Sequence, residues 1–281
     1  MTQNERLDFL VEEFKADSID YKNVKTPSDI SGKQTLLRSL MNIRMPRVMT
    51  REVLLVQDEY LKERVAEKGI VGLSDIPVVK PSISIWQGDI TRLEVDAIVN
   101  AANSQMLGCF VPMHACIDNC IHTFAGVQLR LECNRQMNKN REKYGQDFEM
   151  PTAVPMLTPA YNLPSKYVIH IVGPIVYSGL TASLEKDLEN CYLNTLNLCA
   201  ENGIRSVAFC CISTGVFNFP KQRAAEIAVS TVEKWLNDHK GLMKRIIFNV
   251  FNDEDLEIYT TQYGSCIMAT GGKCKRKKEL L

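Results

Sequence analysis

The sequence predicts an α/β fold in which helices cover both faces of a central sheet, with an all-helical segment in front of it. Three observations carry that expectation. Strand-length apolar or alternating runs recur beyond residue 80, helical stripes lie between several of them, and the first 75 residues show helical periodicity alone.

Taken in order, Leu7, Leu10, Val11 and Phe14 fall three and four apart and define one face of a short helix. Ser31-Gly-Lys-Gln34 has the form of a capping box and leads into Leu36, Leu37, Leu40, Met41 and Ile43. Pro46 separates this element from a third, where Val53, Val56, Tyr60, Leu61 and Val65 repeat at helical spacing until Gly69. Past Pro77 and Pro81 the texture changes. Strands are expected over 82–86, 95–99, 152–157, 167–172, 206–211 and 245–251. Between them, Ile117, Cys120, Ile121, Phe124, Val127 and Leu131 form one helical stripe. Leu184, Leu188, Cys191, Thr195 and Leu198 form a second, and Ile227, Thr231 and Trp235 a third. The chain therefore divides into a helical extension (1–75), an α/β domain (76–268) and a basic tail (269–281), which reads as a solvated end.

Composition narrows the function. Lys and Arg total 33 and Asp and Glu total 33, a balance that argues against a nucleic-acid coat or a protein spread on an anionic membrane. No apolar run approaches the length of a membrane span. The polar start, Met-Thr-Gln-Asn-Glu-Arg, has no secretory h-region, so a cytoplasmic, reducing setting is expected. There the ten cysteines would be thiols, buried filler or metal ligands.

Three segments after strand candidates carry the chemistry: Gln87-Gly-Asp-Ile-Thr91, Asn100-Ala-Ala-Asn103 leading to Gly108, and Ile212-Ser-Thr-Gly-Val-Phe217. In open α/β sheets such loops gather beyond the carboxyl ends of the strands, where ligands bind. Gly215 allows close backbone approach, the Ser213 and Thr214 hydroxyls can donate, and Pro220 suits the first turn of a helix whose free amides favour phosphate. Any one of these loops is an ordinary turn; the ordered set is specific.

That set resembles the macrodomain family of ADP-ribose binders over roughly residues 81–265. The resemblance implies a three-layer α/β/α sandwich with a central mixed sheet. Cys116-Ile-Asp-Asn-Cys-Ile-His122 matches the family's loop-to-helix segment around the distal ribose and diphosphate. Where hydrolytic members usually carry a glycine run, this chain has Gly108-Cys-Phe-Val-Pro-Met-His-Ala-Cys116. Cys109, His114 and Cys116 make a C-x4-H-x-C cluster suited to one zinc ion with an open fourth position. The pattern is similar to a zinc-containing subclass that removes mono-ADP-ribose from proteins, works beside a sirtuin-type ADP-ribosyltransferase and acts on a glycine-cleavage-type lipoyl-carrier protein.

The resemblance also implies residue roles. Asp89 would accept from the adenine amino group, with Ile90 beside it, and Asn103 would fix the distal ribose. Asp118 would act as base or water-positioning group, and Asn119 with Ser213, Thr214, Gly215, Val216 and Phe217 would hold the diphosphate. His122, a turn beyond Asp118, reads as structural, and His170 as an ordinary strand residue. The family commonly has glycine where Asn218 stands, and Phe251 is either an adenine platform or a core aromatic. The expected activity is zinc-dependent release of mono-ADP-ribose from modified protein, with an ester-type linkage. A non-catalytic ADP-ribose reader and an O-acetyl-ADP-ribose deacetylase are the alternatives, and the N-terminal helices either recognise the modified protein or buttress the sheet.

Overall fold

A computed structural model describes residues 1–264, so the basic tail, Cys266 and Cys274 lie outside the described residues. Three helices come first: α1 (Gln3–Ala16), α2 (Ile30–Ile43) and α3 (Arg51–Lys68). Thr2 and Glu5 form a capping box on α1. The cap of α2 is Asp29, whose carboxylate accepts from the Gly32 amide, rather than the expected Ser31, which lies inside the helix. Leu7, Leu10, Val11 and Phe14 meet Leu37, Leu40, Met41, Val53, Tyr60 and Leu61 in a core of their own, and Val127 of the α/β domain completes it.

The α/β domain runs β1 (Val71–Gly72), β2 (Val78–Lys80), β3 (Ile83–Gln87), β4 (Leu93–Glu94), β5 (Ala97–Ala102), α4 (Ile117–Ala125), α5 (Val127–Tyr144), β6 (Met156–Pro159), β7 (Tyr167–Val172), α6 (Ala182–Glu201), β8 (Ser206–Phe209), α7 (Lys221–Asp238), β9 (Arg245–Val250) and α8 (Asp253–Gln262). β1 is a two-residue strand inside the segment expected to be purely helical, and it pairs with β4. The main sheet has the order β2-β3-β9-β8-β5-β7-β6, parallel from β3 to β7 and antiparallel at both edges. Because the five central strands run the same way, the loops after β3, β5, β7, β8 and β9 open at one edge, the place where such sheets bind ligands.

Two strands differ from the periodicity. The β5 segment begins at Ala97 and continues to Ala102 because its whole length pairs with β7, Asn100 opposite His170. The run expected to start at residue 152 begins at Met156, since Ala153 takes a left-handed φ of 63° and Pro155 follows closely. The single helical stripe through residues 117–131 is two helices. Gly126 breaks it at φ 95°, and a Cβ there would sit 2.7 Å from the Gln57 amide of α3. Gly126→Ala is therefore expected to destabilise the protein by about 1–3 kcal/mol, read as a lower urea midpoint at unchanged slope.

Candidate active site

The open edge of the sheet brings the three predicted loops together with the first turn of α4. Asp118 stands in that turn, buried, where the helix dipole favours a negative charge. A buried carboxylate needs donors. Asn100 Nδ2 donates to Asp118 Oδ1 at 2.8 Å, and Asn103 Nδ2 reaches Oδ2 at 3.4 Å while also donating to the Gly108 carbonyl at 3.3 Å. Burial raises the Asp118 pKa to about 6 against the lowering influence of the Asn100 hydrogen bond and the Arg130 charge.

Behind the carboxylate lies a buried polar chain that sequence reasoning passed over. Asn100 Nδ2 also stands 3.1 Å from His170 Nδ1, and His170 Nε2 is 3.1 Å from Thr158 Oγ1. An amide donor on Nδ1 makes that nitrogen the acceptor and leaves the proton on Nε2, directed at Thr158. Burial pushes His170 down to about 3 and His122 well below its usual range, so both rings are neutral. His122 Nε2 is 3.5 Å from Asp118 Oδ1.

The Cys109, His114 and Cys116 ligand atoms all lie within 4.8 Å of one another. Cys109 Sγ is 3.5 Å from His114 Nδ1, close to the edge of about 3.5–3.8 Å that zinc–sulfur and zinc–nitrogen bonds span in a tetrahedron. Cys116 is the N-cap of α4, its sulfur accepting from the Asn119 amide at 3.4 Å. Burial drives the Cys116 thiol up to about 12. Two soft sulfurs and an imidazole fit zinc, and they sit on the loop that ends at Asp118. His122, Cys133 and His170 form a second close cluster, but it is fully buried and His170 already spends both nitrogens on Asn100 and Thr158.

The loop after β8 is held in a shape that costs backbone energy. Ser213 and Asn218 take left-handed φ values of 65° and 56°. The second of these explains the departure at Asn218: asparagine tolerates the conformation for which glycine is usual. The Phe219 amide donates to the Ser213 carbonyl at 3.0 Å and Asn218 N to the Gly215 carbonyl at 3.0 Å, closing the loop on itself. The Ser213 hydroxyl is buried without a partner, packed against Gly173. Thr214 donates to the Cys211 carbonyl at 3.0 Å, Gly215 and Val216 are exposed, and the Phe217 carbonyl accepts from Val176 N at 2.9 Å. Pro220 stands one residue before α7 rather than in its first turn.

Asp89 does two jobs at once. One oxygen accepts from Thr91 N and Oγ1 at 3.0 and 2.6 Å, capping the turn that contains buried Ile90. The other lies 3.3 Å from Lys68 Nζ of α3, which sits 3.8 Å over the Phe124 ring. Nothing local in the sequence marks Lys68, since its partner is 21 residues away. The Asn119 side chain, expected near the diphosphate, is directed into the loop of Cys109, His114 and Cys116: its amide donates to the Val111 carbonyl at 2.9 Å and the Cys109 carbonyl at 3.3 Å. Phe251 is 62% exposed at the end of β9, which removes the core reading.

Loops gathered at one edge of a mixed α/β sheet mark a ligand-binding domain, and its relatives give it a family. The Macro domain family matches residues 99–228. A protein-ADP-ribose hydrolase of Treponema medium is 52% identical over 263 residues, 92% of this chain and 98% of that one. One of Staphylococcus aureus (strain MRSA252) is 43% identical over 90% of this chain and 93% of its own length. The Trypanosoma brucei macrodomain crystallised with ADP-ribose superposes with a TM-score of 0.61 at 28% identity, covering 81% of this chain and 95% of that one. The chain belongs to the macrodomain family.

A Cβ on Gly173 would meet Ser213 Oγ at 2.1 Å. Gly173→Ala should push the 213–219 loop outward, costing about 1–3 kcal/mol by overpacking. Amide resonances of Thr214–Phe219 should shift while those of α1–α3 stay in place.

Proposed function

We propose that the protein is a zinc-dependent hydrolase that removes mono-ADP-ribose from modified proteins, acting on an ester-type linkage. Hydrolysis of protein-linked ADP-ribose is the activity its relatives are named for, at 52% and 43% identity over nearly their whole length. The observation that carries the finer reading is the placement of a three-ligand cluster on the same short loop that delivers Asp118 to the open sheet edge.

Cys109, His114 and Cys116 are the residues that would hold zinc, and the bound ion would supply Lewis acidity at the reacting oxygen or lower the pKa of a water. The chain itself does the rest. Asn103 makes only long hydrogen bonds to Asp118 and Gly108, leaving its amide free to turn toward the ribose hydroxyls. Asp118, fixed by Asn100 from below, orients a water or accepts its proton at the anomeric carbon. The 213–219 loop and the amides opening α7 hold the diphosphate away from the reacting carbon, so that binding energy positions the sugar. Asp89 takes the adenine amino group by sharing its carboxylate with Lys68. Phe251 provides an exposed ring beside it. The substrate proposed from the resemblance is a lipoyl-carrier protein modified by a sirtuin-type transferase, in a reducing compartment where the ligand thiols persist.

The test is release of ADP-ribose from a mono-ADP-ribosylated protein by enzyme as purified, chelated and zinc-restored. Activity should fall on chelation and return with zinc. A glutamate-linked substrate should be cleaved and an arginine-linked one spared. Tight ADP-ribose binding with no release in any state would make the protein a reader.

Two variants separate the roles. Cys116→Ala should lose both metal and turnover, and retained zinc with near-normal turnover would refute the ligand assignment. Asp118→Asn should keep zinc while turnover falls about 10²–10⁴-fold, the usual contribution of a positioned acid–base group.

A further inference from the structure

We propose that the N-terminal helices form a clamp that holds the metal-ligand loop in its coordinating shape, with Asn42 and Arg38 of α2 as positioning residues; this rests on the zinc reading above. Two anchors from α2 reach the loop and grip backbone or a hub residue beside a ligand, and a third, from α5, ties the end of α2 to the loop's start.

The first is Asn42, 1% exposed. Its Oδ1 accepts from the Met113 amide at 3.0 Å, and its Nδ2 donates to Thr123 Oγ1 at 2.8 Å on α4. Met113 holds a left-handed φ of 58° immediately before His114, a conformation that a non-glycine residue keeps only when its surroundings impose it. The second is Arg38. One terminal nitrogen lies 3.1 Å from the His114 carbonyl, 3.1 Å from Asn119 Oδ1 and 3.6 Å from Cys120 Sγ. Asn119, fully buried, passes that grip on: its side-chain amide holds the Cys109 and Val111 carbonyls, and its backbone N–H donates to Cys116 Sγ. All three ligand residues are thus tied to one arginine of α2. The third anchor runs the other way. Arg130 of α5 donates to the carbonyls of Met41, Asn42 and Arg44 at the end of α2 and to Leu107 at the start of the loop, and its guanidinium lies 4.3 Å from the Phe110 ring centre.

The loop itself has little apolar surface to bury. Val111 and Pro112 are exposed and the two cysteines are only half-buried. Hydrogen bonds from α2 therefore set the spacing of the ligands before an ion arrives, and groups beyond the ligands typically change metal affinity about 10–100-fold.

The experiment measures zinc affinity of the full chain by competition with a chromogenic chelator, alongside thermal melts of the zinc-free proteins. Asn42→Ala and Arg38→Met should each bind zinc about 10–100-fold more weakly than wild type. Asn42→Asp, which still accepts from Met113 N, should fall between wild type and Asn42→Ala. Arg6→Ala removes ion pairs to Glu59 and Glu63 far from the loop and serves as a control that destabilises the same helices. It should lower the melting temperature and leave zinc affinity unchanged. Wild-type affinity in Asn42→Ala and Arg38→Met, or an equal loss in Arg6→Ala, would overturn the clamp. Failure of the zinc reading looks different: wild type would then bind no zinc that Cys116→Ala abolishes.

Discussion

The hydrogen bond from Asn100 to Asp118 fixes the geometry on which the site depends. A carboxylate taken out of water must be paired, and here the partner is an amide in the middle of a strand. That single requirement sets the register of β5 against α4. It also explains why a polar residue occupies the centre of a parallel sheet, where apolar runs are the rule. Asn100 is tolerated because His170 on the neighbouring strand and Asp118 on the covering helix each face it. With β5 and α4 locked together, the segment between them has both ends fixed and must carry Cys109, His114 and Cys116 across a short span.

The sheet was readable because strand periodicity and strand-end loops are local. Four of the six expected strands lie within two residues of their observed bounds, and the ordered motifs after them fall at one edge of the sheet. What failed has a common physical cause. The α4–α5 break depends on the backbone conformation of Gly126, to which a stripe of apolar residues is blind. The extension of β5 is decided by pairing with a strand seventy positions away. Asp29 rather than Ser31 caps α2 because both residue types make good caps and only geometry chooses between them. Within the site, Asp118, Asn103 and the Cys/His cluster were visible as residue types at set spacing. Lys68, Arg38, Asn42 and Arg130 were not, since a side chain that donates to a distant carbonyl leaves no local signature.

Asp89 shows why one residue can carry two readings in sequence. A turn-capping aspartate and a ligand-accepting aspartate look identical in sequence, and the geometry gives the cap outright. The second oxygen faces Lys68, whose ammonium is held by the carboxylate and by the face of Phe124. The contact is long at 3.3 Å, so the carboxylate is not saturated by the ammonium. The cation then offsets the negative charge that would otherwise oppose an anionic ligand nearby. Zero net charge over the whole chain conceals this kind of local arrangement.

The loop that carries Cys109, His114 and Cys116 lies at the opposite extreme from the sheet. The sheet is held by burial of residues such as Ile98, Val99, Ile169 and Phe248, all at or near zero exposure. The loop is held mainly by hydrogen bonds to its backbone carbonyls and to the Met113 amide, each contributing about 0.5–1.5 kcal/mol net. A segment secured mostly by such contacts, with Val111 and Pro112 exposed, has few buried apolar contacts to resist local opening. Its left-handed Met113 stores a cost that ordinary packing would not retain. Helices from outside the α/β sandwich meet that cost in advance, and the site can then stay open at its edge without losing its shape.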